Sequence, residues 1–222
     1  MLQVPAMIAF IQPLLHGAAV TALITLGAIA IAIPAMAIAD ACRFSGIEAL
    51  DWPARVYIEI FRGTSALIQL FWVFYALPLI TPLHPYPMVS AIVVLGLNGG
   101  AYGAEIVRGA LLAVSRQQKD AAIALNFSRW QTFYRIVLPQ AVPLMLPPLA
   151  NLFIDMLKNS ALAGLVQVSD LTFQAQLLQD STLRSGAVYG AALVIYFAMA
   201  MVLALLMRLL ERLFRFPVGV RA

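Results

Sequence analysis

The chain has 222 residues, of which 63% are hydrophobic and 11% charged, and its mean hydropathy is +0.91. That is too little charge to wet a globular surface, so a soluble enzyme and a disordered chain are excluded and an integral membrane protein remains. The net charge of +4 needs no nucleic acid to explain it, because membrane orientation accounts for an excess of Lys and Arg.

Gaps between charges mark the candidate spans, each needing roughly 20 mainly apolar residues. No charge precedes Asp40, and a first span is expected at about 14–39. The uncharged run from Gly63 to Ala104 is long enough for two spans. It is interrupted by Pro78, Pro82, Pro85 and Pro87, so helices are expected at about 56–80 and 88–112. Gly96, Gly99, Gly100 and Gly103 in the third span have the spacing of a close helix-packing face. A fourth span is expected at about 144–168 and a fifth at about 186–208. The whole chain, 1–222, then forms one all-α transmembrane domain.

Eleven of the fourteen basic residues fall on one side of this arrangement: Arg43, Arg55, Arg62, Arg116, Lys119, Arg129, Arg135, Arg208, Arg212, Arg215 and Arg221. Arg184 alone lies on the other. The asymmetry predicts the N-terminus outside and the C-terminus in the cytoplasm. No Lys or Arg precedes Arg43, so no basic region of a cleaved signal is expected. The lone Cys42 has no intrachain partner.

The cytoplasmic segment at about 113–143 is too long to be left unstructured. Ser115-Arg-Gln-Gln118 and Ser128-Arg-Trp-Gln131 both fit a capping box, and Asn126 between them tolerates a left-handed turn. Two short helices are expected, the second stopped by Pro139. By composition alone they suit a lipid surface, with Trp130 and Tyr134 at the interface.

Two pairs of charges lie within or near the spans. Asp155 and Lys158 are three apart and share a helix face, as do Glu105 and Arg108. Ionisable residues at depth face a bundle interior or a wet cavity, so the first pair is either a packing ion pair or part of a solute path. The second reads as structural or gating. No catalytic or metal-binding pattern is present: His16 and His84 lack a carboxylate cluster, and neither a Walker loop nor a zinc or serine-hydrolase motif occurs.

Asp120-Ala-Ala-Ile-Ala-Leu-Asn126, followed by Ile136-Val-Leu-Pro-Gln-Ala141, resembles the EAA motif of binding-protein-dependent ABC importer permeases. Asp120 stands where Glu is usual and Asn126 where Gly is usual. Arg62-Gly-Thr-Ser-Ala-Leu-Ile-Gln69, Asn98-Gly-Gly-Ala-Tyr-Gly-Ala-Glu-Ile-Val-Arg-Gly109 and Lys158-Asn-Ser-Ala-Leu162 resemble segments of the polar amino acid permeases in the same order. Ser169-Asp-Leu-Thr-Phe173 and the Gly-Thr-Ser segment are most similar to ectoine and hydroxyectoine permeases.

The resemblance implies a type I importer permease in a bacterial inner membrane, passing a polar amino acid or an ectoine-like solute. It implies coupling to a cytoplasmic ATPase through Asp120, Ala121, Ala122, Leu125 and Asn126, supported by Arg129, Trp130 and Phe133. It implies a solute path near Asp155, Lys158, Asn159 and Ser160. ATP and Mg would bind the ATPase, and this chain would hold no cofactor. A second permease subunit, identical or related, and a periplasmic or lipid-anchored solute-binding protein would complete the assembly. The competing readings are an intramembrane enzyme built on Asp155 and Lys158, and an ATP-independent channel or scaffold.

Overall fold

The computed structural model describes residues 4–214, with side chains from residue 11 onward. Arg215 and Arg221, counted above for orientation, lie outside the described residues. Every regular element among the described residues is helical. The helices are α1 (Val4–Phe44), α2 (Glu48–Gly63), α3 (Ala66–Ile80), α4 (Pro87–Ala113), α5 (Arg116–Ala124), α6 (Arg129–Val166), α7 (Leu171–Thr182) and α8 (Ser185–Leu213). Four of them, α1, α4, α6 and α8, are long and apolar enough to cross a membrane. A fifth crossing exists if α2 and α3 count as one broken span.

The single helix expected at 56–80 is in fact two, meeting at 105°. Gly63 ends α2, and Thr64 and Ser65 are extended (ψ 155° and 132°). A turn that leaves the helix orphans carbonyl groups, and buried ones need donors. Two side chains supply them here. Gln69 Nε2 donates to Phe61 O at 3.0 Å and to Thr64 Oγ1 at 2.7 Å, and Asn98 Nδ2 donates to Phe61 O at 2.9 Å.

Helix α4 runs through the middle of the bundle on a glycine face. A Cβ on Gly96 would lie 2.7 Å from Ile31 Cβ, and one on Gly100 2.7 Å from Ala35 Cβ and 2.8 Å from the Tyr57 hydroxyl. On Gly99 it would lie 2.6 Å from Met156 Sδ of α6, and on Gly103 2.9 Å from Met36 Cε. The small-residue spacing in the sequence is therefore a packing face, and it lets α1 and α6 approach α4 at backbone distance.

Pro78, inside the helix expected to residue 80, and Pro139, expected to stop one, both sit within helices. Leu77 N donates to Trp72 O and Leu138 N to Phe133 O, each five residues back. Each widened turn comes immediately before a proline, Pro78 and Pro139. A proline ring collides with the carbonyl four residues back, and the five-residue step removes that collision. Pro139 therefore does not stop the second loop helix, which continues without a break into the fourth span as α6. The helix that carries that span starts earlier than 144, at Arg129.

The sequence reading missed α7. Asp170 caps it, accepting from Phe173 N at 2.9 Å. Leu171 N donates to Thr21 Oγ1 at 3.0 Å, and the Thr172 and Tyr196 hydroxyls are 2.8 Å apart. Tyr196 lies eleven positions past Ser185, which is about 16 Å along α8. The N-terminus of α7 is thus well inside the bundle, and α7 runs back beside α8 to that helix's start. Gly17 is glycine because a Cβ there would meet Asp170 O at 2.8 Å. The Ser169–Phe173 segment, read above for its subgroup likeness, serves this packing role.

Candidate functional site

Two features outside the apolar core gather the chain's polar residues. The first is the turn between α5 and α6. Leu125 N donates to Ala121 O, Asn126 N to Ile123 O and Phe127 N to Ala122 O, at 3.1, 2.9 and 3.0 Å. Asn126 takes φ 61°, the left-handed conformation expected of it. Of the two expected capping boxes only the second forms. Ser128 Oγ accepts from Gln131 N at 3.2 Å and Gln131 Oε1 accepts from Ser128 N at 2.9 Å. Ser115 is an N-cap in extended conformation, but its side chain makes no capping bond.

This turn is held from beneath and presented outward. Ala122 is fully buried, which is why a small residue stands there. Phe133 is half-buried against the main core. Asp120, Ala121, Asn126 and Arg129 are exposed, as are Leu125 (69%) and Trp130 (70%). Trp130 stacks on Tyr134 with centroids 5.6 Å apart. Leaving large apolar and aromatic groups uncovered outside the spans fits a surface that meets another body.

The second feature is a charged cluster at the same end of the bundle. Glu105 on α4 accepts from Arg43 on α1, and lies 3.4 Å from Arg108 and 3.9 Å from Arg62 on α2. One carboxylate thus ties three helices. Arg62 also rests over the Tyr102 ring, 5.5 Å from its centroid. The pairing of Glu105 with Arg108 was legible from their spacing. The contacts of Arg43 and Arg62 with Glu105 were not legible, since partners 62 and 43 positions apart leave no trace in one sequence.

Beside this cluster opens a cavity of about 420 Å³, lined by Arg62, Tyr102, Glu105, Asn151 and Asp155 among others. Asp155 pairs with Lys158 at 3.1 Å, and both side chains are more than 60% exposed. Asn159 is exposed beside them. Ser160 is not on that surface: it is fully buried and donates to Leu157 O at 2.7 Å. Asn151 and Tyr102 were not singled out in the sequence, having no charge to mark them.

Comparison with known proteins places these features in context. Residues 35–216 match the family model described as "Binding-protein-dependent transport system inner membrane component". The chain is 50% identical over 161 residues to the "Probable amino-acid ABC transporter permease protein y4tF" of Sinorhizobium fredii, covering 70% of this chain and 68% of the relative. It is 38% identical over 160 residues to the "Glutamine transport system permease protein GlnP" of Escherichia coli, covering 72% and 73%. Among solved structures, an amino acid ABC transporter crystallised with histidines superposes with a TM-score of 0.88 at 30% identity, covering 96% of this chain and 99% of that one. The MetNI methionine ABC transporter, in inward facing conformations, shares the fold at a TM-score of 0.70 and 19% identity, covering 97% and 100%.

Proposed function

This chain belongs to the binding-protein-dependent transport system inner membrane components, and from that premise we propose its cargo, its ATPase-facing surface and its solute path. It is a permease of a binding-protein-dependent ABC importer, a multi-pass inner membrane protein and a transport component rather than an enzyme. The ATPase is a separate subunit.

The proposed cargo is a polar amino acid. The relatives named above are amino-acid and glutamine permeases, and the cavity beside Glu105 offers both signs of charge within one wall. An α-amino acid carries both signs, so Arg62 would meet its carboxylate and Asp155 its ammonium group. Lys158 and Asn159 lie next along the same helix and would extend the path. An ectoine-like zwitterion meets the same electrostatic requirement and is the alternative cargo.

The proposed ATPase-facing surface is the turn from Asp120 to Asn126 with Arg129 and Trp130. The observation that carries it is the rigid, outward turn, closed by three backbone hydrogen bonds and continuous through α6 with a long helix of the bundle. Because α6 is continuous, a push on Trp130 moves the helix that carries Asp155. If α2 and α3 make one crossing the chain crosses five times, and the basic-residue asymmetry would then put the N-terminus outside and this turn in the cytoplasm. A second permease subunit would supply the other half of the path, and a solute-binding protein would deliver cargo on the far side.

ATP-driven uptake of labelled amino acids tests the reading, in proteoliposomes holding this permease with its cognate ATPase and binding protein. Asp155→Asn is expected to lower uptake while the ATPase subunits still co-purify. Undiminished uptake by that variant would remove Asp155 from the path.

A further inference from the structure

The carboxylate of Asp40 has no accounted role in the features above. It lies on α1, is only 5% exposed, and neither oxygen has a hydrogen-bond partner among the described residues. A buried carboxylate without a partner is costly, and such a group in a folded protein calls for an explanation. Arg43 is three residues on and shares its helix face. Its guanidinium has five N–H donors, and its one hydrogen bond among the described residues goes across to Glu105 on α4.

Glu105 does not depend on Arg43. Arg108 at 3.4 Å and Arg62 at 3.9 Å remain beside it if Arg43 leaves. A swing of Arg43 toward Asp40 would therefore pair a bare carboxylate without baring another. It would also cut the tie between α1 and Glu105, while Arg62 kept α2 on α4.

We propose that Asp40 is the second acceptor of the Arg43 guanidinium, so that the end of α1 is latched to Glu105 in the arrangement seen here and released in the alternate arrangement of the transport cycle. This rests on the importer reading, since a latch needs a cycle to serve. Two alternative pairings of one arginine make a discrete two-state element of the kind that transmits a conformational change.

The test uses the complete transporter in nanodiscs, with Cys42→Ser and spin labels at Phe44→Cys and Leu112→Cys, both exposed positions at the ends of α1 and α4. The parent is expected to show two distance populations whose ratio shifts on adding ATP. Asp40→Asn is expected to keep only one of them and to lower uptake about tenfold, within the usual range of coupling between sites. Asp40→Leu, which replaces an unpartnered buried carboxyl group with an apolar one, is expected to match or exceed the parent's thermal midpoint and still lose uptake.

A single population in the parent, both populations surviving in Asp40→Asn, or parental uptake by either variant would overturn the latch. So would a parallel fall of thermal midpoint and uptake, which is the mark of a merely structural residue. A parent that takes up no amino acid would count against the cargo instead, because the distance populations need no solute.

Discussion

Asn98 Nδ2 lies 3.2 Å from Gln69 Oε1, and the two amides converge on the carbonyl of Phe61 at the corner between α2 and α3. The corner turns the chain by 105° and holds Arg62 against the cavity. Either amide alone still satisfies that carbonyl, so Gln69→Leu and Asn98→Leu should each cost about 0.5–1.5 kcal/mol, the worth of one hydrogen bond, and only the double variant strands it. Because the residues share one acceptor, their effects should not add. A double-mutant cycle of thermal unfolding in detergent measures this, and strict additivity would show that the two amides act independently.

The glycine face of α4 makes a contrast that needs no transport assay. Gly100→Ala should destabilise by about 1–3 kcal/mol, since its new methyl group meets Ala35 and the Tyr57 hydroxyl inside 3 Å. Gly109 lies on the same helix with nothing within 4 Å of an added Cβ. Gly109→Ala should be neutral or stabilising by up to about 1 kcal/mol, from helix propensity alone. The opposite order would mean that α4 packs on a different face.

The Glu105 cluster predicts a ranking. Removing the shared acceptor leaves three guanidinium groups facing one another, so Glu105→Gln should be the most damaging change. Arg43, with a side chain 13% exposed, should come next. Arg62 and Arg108 are about 40% exposed, and their replacement by Gln should cost about 0–1 kcal/mol. Thermal midpoints of the four variants establish the order, and equal losses would show that Glu105 is not the hub.

The widened turn before Pro139 sets the azimuth of the proposed ATPase-facing surface. In Pro139→Ala the reason for the five-residue step is gone, and the helix is free to close to its ordinary pitch. One residue of register rotates a helix by about 100°. Trp130 and Tyr134 would then face a new direction relative to Asp155. Cysteine accessibility at these positions should change in Pro139→Ala and stay fixed in Pro143→Ala, which has no widened turn before it. An unchanged pattern would mean that packing, and not the proline, holds the turn open.

Much of this architecture was legible in the residues because the signals were local. Charge gaps marked the helices, the glycine spacing marked a packing face, and Asn126 marked the left-handed turn. The failures came where helix geometry or a distant contact outweighed a local preference. Ser115 matched a capping box yet makes no capping bond, whereas Ser128 does. Pro139 was read as a stop, but a change of helix pitch absorbed it. Helix α7 was missed because Thr21 and Tyr196, far away in sequence, stabilise its N-terminus. Ser160 sat beside Lys158 and Asn159 in sequence, but a helix turns neighbours to different faces, and this one faces inward. The Arg43–Glu105 tie had no local signal.

The central claim is that the turn from Asp120 to Asn126 takes up the ATPase's motion. Its most direct test is ATP-driven uptake by the reconstituted transporter, measured together with co-purification of the ATPase subunits. The variants are the charge reversal Asp120→Lys and deletion of residues 120–126. The account predicts that the reversal weakens ATPase association and uptake together, and that the deletion abolishes both. Uptake at the parental rate with the turn deleted would contradict it.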